Sequence, residues 1–177
     1  MPAGKRLLLV TAHRRENHGL ALRNILLALQ QLAERDDVLI VYSVHPNPNV
    51  WKPVHDVLSG CANVLLLEPQ DYVSFVHLMS QAYLILTDSG GIQEEAPSLG
   101  IPVLVLRSTS ERPEALDTGV VKLVGTDTAR IVGETTLLLD NAAVYQAMAR
   151  RVYPYGAGAA AQRIVDVLRQ WPDGIRA

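Results

Sequence analysis

Residues 84–106 read LILTDSGGIQEEAPSLGIPVLVL, and this stretch decides the fold. A short apolar run, 84–87, ends abruptly in Asp88 and Ser89. The glycine pair Gly90-Gly91 follows, and the next residues carry a helical pattern over 92–99. Gly100 and Pro102 then stop the helix. A second apolar run, 103–106, reads as another strand. The segment is therefore a strand–helix–strand unit whose first connection carries two glycines.

The same alternation extends outward in both directions. Strands are predicted over 6–11, 38–43, 64–67, 84–87, 103–106 and 120–124, and helices over 20–34, 48–58, 72–82, 92–99, 128–140, 142–150 and 159–169. The strand runs are apolar at consecutive positions, as expected where both faces of a sheet are covered. Strand–helix alternation of this length gives right-handed crossovers and a parallel sheet. The expected fold is a Rossmann-like three-layer α/β sandwich with a mostly parallel sheet. Residues 153–158, YPYGAG, form the one clear break, and the tail from Trp171 onward reads as frayed.

The chain has 177 residues. At roughly 100–200 residues per domain this suggests one domain over 1–177. Its 49% hydrophobic and 19% charged residues exclude an intrinsically disordered chain. The net charge of −2 argues against nonspecific nucleic-acid binding, which needs a basic surplus. No run approaches the ~18 apolar residues of a membrane span. The apolar run after MPAGKR ends at Thr11, short of the ~7–15 residues of a signal-peptide core. A strand and a cytoplasmic location are expected instead. The single cysteine, Cys61, cannot form an internal disulfide.

In open parallel sheets ligands bind beyond the carboxyl ends of the strands. Here the residues just after the strands are AHRREN (12–17), HPNPN (45–49), EPQ (68–70), DSGG (88–91) and RSTSERPE (107–114). That rim collects histidines, arginines, amides and hydroxyls. The DSGG turn at a helix start suits an anion, because free N–H groups and the helix dipole converge there. It lacks the Lys-Ser/Thr of a nucleotide-hydrolysing loop, so a diphosphate held without hydrolysis fits better. An ordinary glycine turn capped by Ser89 or Asp88 is the alternative. Glu94 and Glu95 point about 100° apart on the helix. Glu94 suits the dipole of a first turn, and Glu95 is placed to accept two ribose hydroxyls. His13 beside Arg14 and Arg15 suits an anionic substrate, and Arg112 and His45 are candidates for phosphate or surface pairing. The histidines and carboxylates show no zinc-ligand spacing, so no metal is expected.

Taken together, TAHRREN, VHPNPNV, LLLEPQDY, LTDSGGIQEEAPSLGIPVLVLR, TSERPEAL and VKLVGTD resemble the non-hydrolysing UDP-N-acetylglucosamine 2-epimerases. The match runs from Leu7 to Leu168 in the family's order. The resemblance implies the C-terminal, UDP-binding half of a two-domain glycosyltransferase-B arrangement, with the preceding N-terminal domain absent. It implies interconversion of UDP-N-acetylglucosamine and UDP-N-acetylmannosamine by elimination and re-addition of UDP, with no cofactor. By the same resemblance His13 is the active-site histidine. Ser89, Gly90 and Gly91 hold the phosphates, Glu95 the ribose, Arg112 the nucleotide charge, and Gln70 and Phe75 border the uracil. Arg14 and His45 match residues that contact a second, activating UDP-sugar. A homodimer is implied for the full-length form, feeding cell-surface polysaccharide synthesis. The carboxylates that act on the sugar belong, in the family, to the domain before this one.

One departure is Ala157, which stands where the family's NPYGDG motif has Asp; the contacts of that loop are open. Other functions compatible with the sequence are a glycosyltransferase's UDP-sugar donor domain, a hydrolysing 2-epimerase, and a non-catalytic UDP-sugar-binding module.

Overall fold

The computed structural model describes residues 4–170. The strands are β1 (Arg6–Thr11), β2 (Val38–Ser43), β3 (Val64–Leu67), β4 (Leu84–Thr87), β5 (Val103–Val105) and β6 (Val121–Leu123). They form one sheet in the order β3-β2-β1-β4-β5-β6, with every neighbouring pair parallel. The helices are α1 (Leu20–Leu32), α2 (Pro48–Leu58), α3 (Tyr72–Gln81), α4 (Gly90–Leu99), α5 (Pro113–Asp117), α6 (Thr128–Asp140), α7 (Ala142–Met148) and α8 (Ala160–Gln170).

Alternate residues of each strand face opposite sides of a sheet. In β1, Leu8 and Val10 join one core with residues of α1, α2, α6 and α7. Leu7 and Leu9 join the other, with residues of α3, α4 and α5. Both faces are buried, which is why the strand runs show no polar alternation. The result is the three-layer α/β sandwich expected from the sequence.

Several helix starts are fixed by side chains. Asn47 accepts a hydrogen bond from the Asn49 amide at the start of α2, with Pro48 in the first turn. Asp71 does the same for α3 and Asp127 for α6. At α4 the cap position is Ser89, and no side chain caps the helix.

The differences from the expected elements are local. Helix α4 begins at Gly90, two residues earlier than the 92 read from the sequence. The glycines are its first two residues rather than a turn before it, so Glu94 and Glu95 both lie in the second turn. Glu94 is thus not a first-turn dipole partner. Strands β5 and β6 are each trimmed to three residues. A 3-10 turn at Arg15–Asn17 and the short α5, which starts at Pro113, were not foreseen. Residues 149–159 carry no helix, in accord with the break read at YPYGAG, and Gly156 and Gly158 adopt φ of +89° and +81° there. Helix α8 beyond it has no buried residue. The expectation for the tail after Trp171 falls outside the described residues.

Candidate functional site

The chain crosses from β3 on one flank to β4 on the other side of β1. Such a reversal opens a crevice at the carboxyl edge of the sheet. Two loops meet there, one after β1 carrying His13 and Arg14, the other after β4 carrying Asp88 and Ser89. A cavity of about 250 Å³ lies at this junction. Thr11, His13, Ser43 and His45 line it from the ends of β1 and β2, Ser89, Gly91, Ile92 and Glu95 from the start of α4, and Pro69, Tyr72 and Phe75 from the approach to α3.

The end of the cavity at α4 is built for negative charge. The first N–H groups of a helix have no intrahelical partner, and none here is capped by a side chain. Arg14 and Arg112 reach this point from two loops. A β-carbon placed on Gly90 would lie 3.4 Å from Arg14 Nη2 and 3.7 Å from Arg112 Nη2. Arg112 Nε also donates to Glu94, which keeps the guanidinium beside the helix and raises its pKa. Two cations over an uncapped helix start form a cradle for phosphate oxygens.

His13 sits beside this cradle because its loop is pinned from below. Asp88 is fully buried. Its Oδ2 accepts the amide N–H of His13 at 2.9 Å, that of Arg14 at 2.8 Å and the side-chain amide of Asn17 at 2.9 Å. Tyr42, also buried, donates its hydroxyl to the Ala12 carbonyl at 2.8 Å, and burial pushes that phenol far above its usual range. The His13 ring stacks on His45 with centroids 5.1 Å apart. Burial lowers the pKa of His13; Asp88 pulls it up, whereas His45, Arg14 and His18 push it down. The ring is therefore mainly neutral at pH 7 and gains a reason to bind a proton when an anion arrives.

The other end of the cavity is less charged. Glu95 faces it, and the Tyr72 hydroxyl donates to Glu95 Oε2 at 3.4 Å. Glu94, its neighbour, points away to Arg112. Phe75 combines two roles, lining the cavity while packing against the α3–α4 side of the core. Gln70 is exposed and folds back to donate to the Glu68 carbonyl at 2.8 Å; Pro69 and Tyr72 stand at the wall instead. Of the residues singled out in the sequence, the structure thus brings together His13, Arg14, His45, Phe75, Ser89, Gly90, Gly91, Glu95 and Arg112. Tyr72, Asp88 and Asn17 complete the site and were not foreseen as parts of it. Among the described residues no group of three His, Cys, Asp or Glu side chains is arranged to hold a metal ion. None of the described helices is long and apolar enough to cross a membrane.

The resemblance drawn from the sequence makes Glu95 the ribose contact, and a substitution tests that expectation. Glu95→Gln is expected to weaken UDP and uridine by about 1.5–3 kcal/mol, since hydrogen bonds to a charged acceptor are the stronger ones. Pyrophosphate binding should be unchanged. Calorimetry with the three ligands checks this, and an equal loss for pyrophosphate would move Glu95 to the phosphate end.

Comparison with known proteins places the chain in a family. The family model described as UDP-N-acetylglucosamine 2-epimerase matches residues 2–169. The chain belongs to the UDP-N-acetylglucosamine 2-epimerase family. A curated member of this epimerase family from Yersinia pestis is 53% identical over 170 residues, which is 96% of this chain and 45% of that protein. The crystal structure of the Neisseria meningitidis epimerase bound to UDP-GlcNAc superposes with a TM-score of 0.92 at 50% identity, covering 97% of this chain and 46% of that one. A Staphylococcus aureus MnaA–UDP co-structure gives a TM-score of 0.89 at 42% identity, with 94% and 46% covered. The chain therefore spans about half the length of the epimerases it matches. A sucrose-phosphate synthase from Thermosynechococcus elongatus, only 16% identical, shares the fold with a TM-score of 0.72.

Proposed function

We propose that this chain is the C-terminal, UDP-binding domain of a non-hydrolysing UDP-N-acetylglucosamine 2-epimerase. The observation that carries the proposal is the convergence of Arg14 and Arg112 on Gly90 at the uncapped start of α4, with His13 alongside. A reaction in which UDP leaves and returns needs strong, reversible holding of a diphosphate, and this cradle supplies it.

In this reading Ser89, Gly90, Gly91 and Arg112 hold the diphosphate. Glu95 takes the ribose hydroxyls, and Phe75, with Gln70 at the rim, borders the uracil. The sugar projects toward His13. A base removes the proton at carbon 2 while the bond from carbon 1 to the diphosphate oxygen breaks, leaving a 2-acetamidoglucal and UDP. Re-addition of UDP with protonation from the opposite face inverts carbon 2. Negative charge grows on the departing diphosphate, where the arginines, the helix terminus and a protonated His13 stabilise it. The carboxylates facing carbon 2 come from a preceding domain, and a second UDP-sugar between the two contacts His45 and Arg14, the latter shared with the substrate's diphosphate. The assembled enzyme is a cytoplasmic homodimer that supplies polysaccharide synthesis, and the reaction uses no cofactor.

The test separates the two halves of the reading. The 177-residue chain should bind UDP by calorimetry, more tightly as pH falls from 7 toward the depressed pKa of His13. With UDP-N-acetylglucosamine in deuterium oxide it should show no exchange at carbon 2 by NMR, because no base is held within the ~2.6–3.2 Å that proton abstraction requires. Adding an N-terminal domain should restore exchange. Failure to bind UDP would overturn the reading, and exchange by the chain alone would place the base within it. Release of free N-acetylmannosamine by the reconstituted pair would instead mark a hydrolysing enzyme.

A further inference from the structure

Arg107 touches no part of the cavity, yet it opens the loop that carries Arg112 and reaches across to the loop that carries Arg14. It follows β5, and its side chain is 3% exposed. Its Nε donates to Glu16, two residues after Arg14. Nη1 and Nη2 donate to the two carboxylate oxygens of Glu111 at 2.5 and 2.8 Å. Glu111 immediately precedes Arg112, and its carboxyl is held down at about 2, chiefly by the hydrogen bonds from Arg107. The same joint carries two further ties. Asn17 donates to the Leu106 carbonyl at 3.1 Å. Ser110 donates to buried Gln93 of α4 at 2.6 Å and accepts from the Arg112 amide at 3.1 Å.

We propose that Arg107 is a positioning residue for the diphosphate: by clamping Glu16 and Glu111 together it fixes the spacing of Arg14 and Arg112 over Gly90. This rests on the diphosphate reading of the cradle given above. The clamp needs a guanidinium. Its planar fork offers donors along three edges at once, so it can grip one carboxylate with both terminal nitrogens and a second with Nε. A lysine in the same place keeps the charge but makes one compact contact, so either the tie across to Glu16 or the grip on Glu111 within its own loop is lost. Arg14 and Arg112 repel each other when no anion lies between them. Without a clamp, the loops relax apart and the cradle must be reassembled by each incoming ligand. Glu16 and Glu111 are themselves half exposed, with side chains 48% and 58% accessible. The clamp therefore sits at the rim, outside both packed cores, and its removal bears on loop geometry more than on sheet assembly.

Arg107→Lys in this chain, measured by calorimetry with UDP and pyrophosphate and by NMR shift titration with uridine, tests the assignment. UDP and pyrophosphate affinities should fall about tenfold, the loss of one well-made charge-assisted contact in effect, while uridine affinity stays unchanged. A purely structural role would weaken all three ligands together, and that outcome, or unchanged UDP affinity in a folded variant, would overturn the proposal. Should Arg107→Lys fail to fold, Glu111→Gln and Glu16→Gln loosen one tie each from the exposed side. Each should weaken UDP and pyrophosphate by a few-fold and spare uridine, and no effect from either would equally overturn it. UDP binding by the unmodified chain is read first. Its absence would overturn the nucleotide reading itself, whereas normal binding there with indifferent variants would overturn only the clamp.

Discussion

Gly90→Val is expected to abolish UDP binding while leaving the fold in place. Gly90 is the first residue of α4 and has no positive φ, so its backbone tolerates a side chain. The space above it admits a β-carbon in ordinary contact and little more. A β-carbon there would be 3.4 Å from Arg14 Nη2 and 3.7 Å from Arg112 Nη2, and the two methyl groups of valine would extend into the same gap. Both guanidinium tips are ends of flexible side chains and can swing outward. The helix therefore survives, and the cradle opens and fills with hydrocarbon. Loss of the helix-terminus contact and both arginine contacts should weaken UDP by more than about 100-fold, or roughly 3 kcal/mol. Circular dichroism and thermal melting should stay close to the unsubstituted chain. UDP affinity within a few-fold of the original, measured by calorimetry, would remove the diphosphate from this position.

The second large effect is expected at Asp88. Replacing it by alanine takes one acceptor away from three donors, the His13 and Arg14 amides and the Asn17 side chain. Buried donors stripped of a partner are costly, and breaking a buried polar network of this kind costs about 3–5 kcal/mol. For a chain of this size that corresponds to a fall in Tm of roughly 6–20 °C. Asp88→Asn keeps one acceptor oxygen and should cost less, about 1–3 kcal/mol. It also exposes the electrostatic part of the role. Asp88 is the influence that raises His13, against burial, His45, Arg14 and His18, which lower it. In a folded Asp88→Asn variant His13 should therefore titrate still further below its ordinary 6.5. A histidine whose folded pKa is depressed favours the unfolded chain once that chain begins to protonate. Its penalty is absent above pH 6.5, grows as pH falls through that value, and is larger in the variant. Denaturant melts at pH 8 and pH 5.5, with the histidine resonance followed by NMR, check both statements. A His13 titration that does not move downward would show that Asp88 acts on the loop by geometry alone.

Much of this architecture is legible in the sequence. β1, β2 and β4 begin and end where the apolar runs do, because strands buried on both faces have to be apolar throughout and the polar rim marks their ends; β3 has the predicted bounds too, although it is an edge strand with Leu65 exposed. The start of α4 could not be placed as well. Glycine is a poor helix former in an interior, which argues for a turn at Gly90-Gly91. At the first positions of a helix that penalty is weak, and Gly90 leaves room for Arg14 and Arg112. The 3-10 turn at Arg15–Asn17 and α5 were invisible because so few residues carry no periodicity.

The site was legible in its parts and not in its joints. His13, Ser89 and Gly91 each follow a strand or open a helix at the sheet's ligand edge, and that rule alone nominates them; Glu95, a turn further into α4, is nominated by its offset from Glu94. Arg14 and Arg112 could each be suspected of an anionic partner, but their meeting over one glycine is a property of tertiary structure. Asp88 and Arg107 were missed for the same reason. Asp88 reaches partners more than 70 positions away, and Arg107 reaches Glu16 across 91. Their chemistry lies in burial, which a polar residue in a loop does not announce. Gln70 shows the converse: its motif nominates it, but the hydrogen bond from its side chain to the Glu68 carbonyl is a local contact that the motif does not announce.

The seam between β1 and β4 has a consequence for the order in which this chain folds. Strands β1, β2 and β3 can pair as soon as they are made, since they are neighbours in sequence and in the sheet. The other half cannot join until β4 returns to the free edge of β1, closing a loop across which Thr11 and Thr87, 76 residues apart, share a hydroxyl hydrogen bond. Distant pairings of this kind are made late and slowly. The crevice is bounded by both sides of that seam, so no early intermediate contains it. A ligand that enters it binds only chains that have completed the crossing, and it should slow unfolding without accelerating the first stages of collapse.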